Sequence, residues 1–291
     1  MDKRCDGKLD CPDRTDEDEC LSFVTFKGYN SHLVPPPIKI ENNTDSRLIM
    51  TFSISIVDIL EINEFEGFFM MKMTFTREWY NPQLTFLNLK RDSRMNVLST
   101  AEVSRMWKPW TVFDNLKVQQ DYHDTEFIDI TVVVPNENYT YNYDEQTNRR
   151  ITRLFSGSEN KLSYTRQCSV KFICNFDLRF YPFDKQTCHL EMYQAEDSIL
   201  LKPGHAEYLG PTELQNHYVF SVFLCTDTTK KRNTLLAGIM IGRPLFTNVL
   251  TVFLPTLILL VLSQMAHLFH QDHLEMVIEI NLTLLLVLAT L

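Results

Sequence analysis

Cys174 and Cys188 stand with thirteen residues between them and enclose the aromatic–proline step Tyr181-Pro182, followed by Phe183 and Asp184. A disulfide between them would close a fifteen-residue ring, worth about 3 kcal/mol through the entropy of the unfolded chain. Aromatic–proline is also the step most tolerant of a cis bond. A second group of reactive residue types crowds residues 5–20, where Cys5, Cys11 and Cys20 alternate with seven carboxylates. Carboxylates at that density repel one another unless a cation neutralises them, and a hard, oxygen-preferring ion such as Ca2+ fits. A third group lies near the end of the chain. At 100° per residue, Glu275, Glu279, Thr283, Leu286 and Thr290 fall within about 80° of arc. Carboxylates in an apolar segment are costly unless they face water, so the stripe reads as a pore lining.

Other chemistry is sparse. His123, His205 and His217 keep a proton or Zn2+ open as a ligand of the central segment. His267, His270 and His273 recur at spacing three but read as a membrane-edge turn rather than a metal site. The chain has no nucleophile–base pairing, phosphate-binding glycine loop or paired acid/base carboxylates in a supporting context, which argues against an enzyme. The net charge of -9 and the lack of a Lys/Arg stripe argue against a nucleic-acid partner.

The elements that must position these residues divide the chain into three. Residues 1–20 form the acidic cysteine segment, 21–243 a β domain and 244–291 a membrane domain. From Leu48 to Ile56 apolar and polar residues alternate, and Phe68 to Trp79, Phe127 to Val134, Ser169 to Ile173, Val219 to Leu224 and Leu235 to Ile241 also read as strands. Pro35-Pro36-Pro37, Asn81-Pro82 and Lys202-Pro203-Gly204 read as breaks between them. Many short strands with little helical period predict a β-sandwich. Pro244 to His267 carries no acid, Lys or Arg over 24 residues. As a helix it would be about 36 Å long, enough to cross a hydrocarbon core of about 30 Å. Pro255 falls inside it, and Asn281 points away from the polar stripe toward a neighbouring helix. Sequons at Asn42 and Asn138 suit an extracellular, glycosylated region. Met1-Asp2-Lys3-Arg4 has no apolar core, so a natural N-terminus upstream is expected.

Residues 174–188 resemble the signature loop of Cys-loop, or pentameric ligand-gated, ion-channel subunits, matching at Cys174, Asp177, Leu178, Tyr181, Pro182, Asp184, Gln186 and Cys188. The likeness extends over about residues 33–291. Trp79-Tyr-Asn-Pro-Gln-Leu84 resembles the family's W-x-D-P-R-L, and Trp107-Lys-Pro-Trp-Thr-Val-Phe-Asp-Asn115 its W-x-P-D-x-x-F-x-N, with Trp110 where Asp is usual. Tyr164-Thr-Arg166 and Arg243 also match. The resemblance implies an extracellular immunoglobulin-like sandwich followed by transmembrane α-helices, cut off within the pore helix. It implies a homo- or heteropentamer of related subunits in the plasma membrane, multi-pass in the lipid bilayer and opened by a small extracellular agonist. The loop Tyr181–Asp184 would carry the signal, and Leu286 would match the gate leucine. Rings of Glu275 and Glu279 would favour cations, and the Pro-Ala-Arg common in anion channels is absent.

Residues 5–20 resemble the C-terminal half of a low-density-lipoprotein-receptor class A module. By that resemblance Cys5 pairs with Cys20, and Cys11 with a cysteine upstream. The side chains of Asp6, Asp10, Asp16 and Glu17 would hold Ca2+ with the carbonyls of Lys3 and Lys8. The agonist positions implied by the channel resemblance are Thr74, Asp114, Tyr193, Ala195 and the basic run from Lys230 through Arg232. They do not form the aromatic box that attracts amines, so the expected agonist is not an aromatic-caged amine. Thr76, in place of the arginine of glycine- and glutamate-type subunits, weakens the amino-acid alternative. Two further readings stay open, a ligand-binding protein without a channel and a calcium-dependent adhesion ectodomain. Cys168 and Cys225 have no pairing assignable from sequence.

Overall fold

The computed structural model describes residues 12, 21–38, 46–117, 123–133, 140–143, 151–214, 217–227, 229, 233–269, 278–283 and 285. Among them run strands β1 (Phe23–Thr25), β2 (Leu48–Asn63), β3 (Phe68–Trp79) and β4 (Leu84–Leu87), then helix α1 (Thr100–Ser104). There follow β5 (Thr111–Phe113), β6 (His123–Val133), β7 (Thr140–Tyr143), β8 (Ile151–Ser156), β9 (Lys161–Ile173), β10 (Lys185–Gln194), β11 (Ile199–Tyr208), β12 (Tyr218–Asp227) and β13 (Thr234–Gly242). Helices α2 (Leu245–Asn248) and α3 (Leu254–Phe269) close the list. The strands form a five-stranded sheet ordered β11-β2-β3-β9-β6 and two four-stranded sheets, β1-β4-β8-β7 and β12-β13-β10-β5. The mainly β sandwich expected from the strand pattern is what folds.

Alternation builds the core. Along β2 and β3, every second residue (Met50, Phe52, Ile54 and Ile56, then Met71, Met73, Phe75, Arg77 and Trp79) is buried. Each apolar side chain removed from water in this way contributes roughly 1.5–3 kcal/mol. Phe52 stacks on Phe75 across the antiparallel pair with ring centroids 5.7 Å apart. Trp79 and Trp107 meet edge to face at 5.9 Å, so these two tryptophans are core residues.

One sequence expectation is corrected. Lys202-Pro203-Gly204 does not end a strand but lies inside β11, where a register shift falls between Pro203 and Ala206. β11 is the edge of its sheet and pairs only with β2, so Pro203 removes no ladder bond from a second neighbour. Gly204 suits a close approach, because a Cβ there would lie 2.4 Å from Ser53 Oγ and 3.0 Å from the Phe52 carbonyl oxygen.

The chain divides into two compact units. The first comprises residues 1–175, 188–210 and 222–238; the second comprises 176–187, 211–221 and 239–291. The second therefore gathers the inside of the 174–188 loop and everything from Ile239 onward. In it, residues 245–269 are helical throughout, as α2, a π-helical turn at Val249–Phe253, and α3. Pro255 lies within this helical run with no N–H to donate to the turn before it, and the widened π-helical turn falls just there. The interruption leaves α3 at 16 residues, or about 24 Å. No helix among the described residues is by itself long and apolar enough to cross a membrane.

In the first unit, α1 begins with a reciprocal capping box between Ser99 and Glu102. The buried Glu102 carboxylate also accepts from Ser22 N (2.6 Å) and Ser22 Oγ (3.3 Å), tying the segment before β1 to this helix. Burial alone would raise its pKa, but the hydrogen bonds from Ser22 and Ser99 outweigh that and hold it below 4.5. Its contribution is thus fully present above 4.5 and fades as pH falls through the lower folded value. Glu102→Gln presents an NH2 to a cluster of donors and is expected to cost about 1–3 kcal/mol. Thermal melts from pH 7 to pH 3 check this, with the variant losing part of the acid slope.

Candidate functional site

The second unit holds a polar cluster built from the two ends of its chain segments. Arg243, at the end of β13, donates through Nε to Asp184 Oδ1 at 2.9 Å, with side chains 8% and 2% exposed respectively. Its guanidinium carbon also lies 4.7 Å from the centroid of the Tyr181 ring. Gln186 completes the cluster. Its amide donates to Asp184 Oδ2 and to the carbonyl of Asp177 (2.8 Å), and its Oε1 accepts from Asp177 N (2.9 Å). Burial opposes the charge on Asp184, yet Gln186 and Arg243 hold its carboxyl below the usual range. Asp177 is clamped by Arg179 on the outside, and that hydrogen bonding draws its pKa down to about 2. Tyr181–Pro182 is cis, and Cys174 and Cys188 are disulfide-bonded with Cα atoms 5.3 Å apart.

The polar frame leaves the loop's apolar side chains outside. Phe180 and Phe183 are 70% and 65% exposed, and Leu178 and Tyr181 are also exposed. A short loop that buries Asp184 and Gln186 while exposing four large apolar side chains offers a surface for apolar contact.

The proposed agonist positions are distributed over two faces of the first unit. Phe113 of β5 points into the core, its ring 6.0 Å from Phe75, and Met192 opposite it is fully buried. By alternation Asp114 and Tyr193 point outward from that sheet. Asp114 N donates to Glu191 O, and Tyr193 is paired with Val112. Thr74 alternates with buried Met73 and Phe75, so it points away from the core on the five-stranded sheet. One chain therefore does not bring Thr74 into a pocket with Asp114, Tyr193 and the exposed Ala195. Lys230, with the basic run to Arg232, lies outside the described residues.

Trp110 stands where the motif usually carries Asp. It is 70% exposed, unlike Trp79 and Trp107. No group of three or more His, Cys, Asp or Glu capable of holding a metal comes together among the described residues. Within that set His205 meets Glu207 at 3.3 Å and His217 is buried.

Of the stripe near the chain's end, Glu279 and Thr283 are helical and exposed, while Glu275, Leu286 and Thr290 lie outside the described residues. Ser263 on α3 donates to the Asn281 carboxamide, so the expected tie from Asn281 to a neighbouring helix is made. The acidic segment with Cys5 and Cys20, the proposed Ca2+ positions Lys3, Asp6, Lys8, Asp10, Asp16 and Glu17, and both sequons at Asn42 and Asn138 also fall outside the described residues.

Residues 20–230 match the neurotransmitter-gated ion-channel ligand-binding domain. The chain is 22% identical over 288 residues to a glutamate-gated chloride channel of Drosophila melanogaster, covering 95% of this chain and 57% of that protein. It is 25% identical over 167 residues to the serotonin-gated chloride channel mod-1 of Caenorhabditis elegans, covering 53% and 29%. A Caenorhabditis elegans acetylcholine receptor subunit, beta-type unc-29, is 20% identical over 279 residues, covering 94% and 50%. The chain thus spans about half or less of the length of these relatives.

Proposed function

The chain belongs to the neurotransmitter-gated ion-channel family, the Cys-loop receptors, and on that premise we propose that it is part of a plasma-membrane channel subunit opened by a small extracellular ligand. The single observation that carries the reading is the Asp184–Arg243 cluster. It joins the signature loop to the residue that opens the helical segment, where a signal from a β domain must pass to reach a pore. In this proposal the subunit assembles with related subunits, same or different, as a pentamer, and residues 244–267 cross the bilayer. The segment from Leu274 lines the pore through Glu275, Glu279, Thr283, Leu286 and Thr290. Residues 1–20 are read as half of a Ca2+-holding module on sequence grounds alone. The separation of Thr74 from Asp114 and Tyr193 supports a ligand site shared between adjacent copies, each contributing a different face.

Glu275 and Glu279 support a cation pore, whereas two of the relatives are by name chloride channels. Diluting external NaCl around cells expressing the full-length subunit separates the two. The cation reading expects the reversal potential of the ligand-evoked current to move negative, and a positive shift means a chloride pore. Glu279→Gln is expected to shrink the cation shift. Surface-expressed protein that passes no current under any ligand would remove the channel reading altogether.

A further inference from the structure

Two segments distant in sequence are clamped together in the first unit. Ser22 N–H donates to the buried Glu102 carboxylate at 2.6 Å, and Trp107 N–H donates to the Tyr29 hydroxyl at 2.7 Å. Residues 22–29 are thereby pinned along residues 102–107 at both ends. Lys27 and Arg105 stand between the clamps and Lys108 just beyond the second, all three exposed. Glu102, the one acid of residues 21–29 and 99–108, is buried and taken up by Ser22 and Ser99. The charge that this strip shows to solvent is positive.

That charge is unbalanced where it stands. Arg94, Lys117 and Arg179 each meet a carboxylate at 3.0 Å or less. Among the described residues no carboxylate pairs with Lys27, Arg105 or Lys108. Yet the chain carries a net charge of -9, and one source of it lies close by. Residues 1–20 hold eight acidic side chains against four basic ones, and Asp16, Glu17, Asp18 and Glu19 follow one another directly. Glu19 is three residues before Ser22 and Asp18 four. At about 3.5 Å per residue, both are tethered within roughly 14 Å of the Ser22–Glu102 clamp. Such a short tether gives an effective concentration of the order of millimolar, enough for weak surface ion pairs to form.

We propose that Lys27, Arg105 and Lys108 form a docking strip for the acidic run that ends at Glu19, engaged through Asp18 and Glu19. The contact fixes the direction in which residues 1–20 leave the β domain. It is independent of the Ca2+ reading, whose carboxylates are Asp6, Asp10, Asp16 and Glu17. Exposed pairs of this kind are screened by salt, so the docking is reversible.

Zero-length carbodiimide cross-linking of the full chain in an uncharged detergent, read by peptide mass spectrometry, tests the proposal. The Glu66–Lys117 pair, 2.9 Å apart, serves as the internal reference for the reaction. Lys108 is the reporter, because it is far from Glu19 in sequence. A link from Asp18 or Glu19 to Lys108 of the same chain is expected at about 0.01 M NaCl. Its yield should fall at least about threefold at about 1 M, where the Debye length is roughly 3 Å. Arg105→Glu leaves both the tether and Lys108 in place and should lower the yield about threefold, whereas Arg105→Lys should retain it. An unchanged thermal midpoint reports that each variant is folded. Absence of the link in the wild type, a yield indifferent to Arg105→Glu, or links that join two differently isotope-labelled chains overturns the assignment.

Discussion

Asp184→Ala is expected to destabilise the second unit by about 3–5 kcal/mol, more than any exposed charge in the chain could. The reason is asymmetry. Arg243 and Asp184 are nearly free of solvent and 2.9 Å apart, so removing the acid leaves a buried guanidinium without its carboxylate. Gln186 also loses one of its acceptors. Replacing both partners by apolar residues, Asp184→Leu with Arg243→Met, should recover much of that loss, because no charge is left behind. Hydrogen exchange at residues 176–187 and the thermal midpoint in detergent measure both variants. A double variant no better than the single one would show that the pair does not act as a unit. The sign with pH follows from the lowered carboxyl of Asp184. Its stabilisation is complete above the ordinary aspartate range and is lost as pH falls through the folded value. Acidification should therefore loosen this loop.

The second large effect is covalent. Cys174→Ser with Cys188→Ser removes the bridge that closes the fifteen-residue ring and should lower stability by about 3 kcal/mol. A thermal melt of the wild type under strong reductant should reproduce the loss, and the double serine variant should then be insensitive to reductant. Cys225, exposed and without a disulfide, should react with a maleimide in the folded protein, whereas buried Cys168 should react only on unfolding. That contrast tells a local opening of the loop from global unfolding.

Much of this was legible in the chain because the physics was local. β2 and β3 are long enough for the two-residue period to stand out, and the cysteine spacing, the Tyr181-Pro182 step and Asp184 identified the loop. Strands β1, β4, β5, β7 and β8 run only three to six residues, too short for a period to register. β10 was missed for another reason. Its inward positions are Gln186, Cys188, Leu190, Met192 and Gln194, and glutamines at both ends break the hydropathy alternation. They face inward because Asp177, Asp184 and Thr111 satisfy them. β11 was hidden by Pro203, which an edge strand tolerates. The tie between Ser263 and Asn281 was foreseeable, since a carboxamide in an apolar helix must find a partner.

The central claim is that binding on an outward face of the β domain opens a pore through the membrane segment. Patch recording of the full-length subunit with ligand applied to one side at a time tests it most directly. The account predicts current when a small ligand reaches the extracellular face, none from the cytoplasmic face, and sharply reduced current in Asp184→Ala at equal surface expression. Current that ignores the side of application, or silence from surface-expressed protein that binds the ligand, would contradict it.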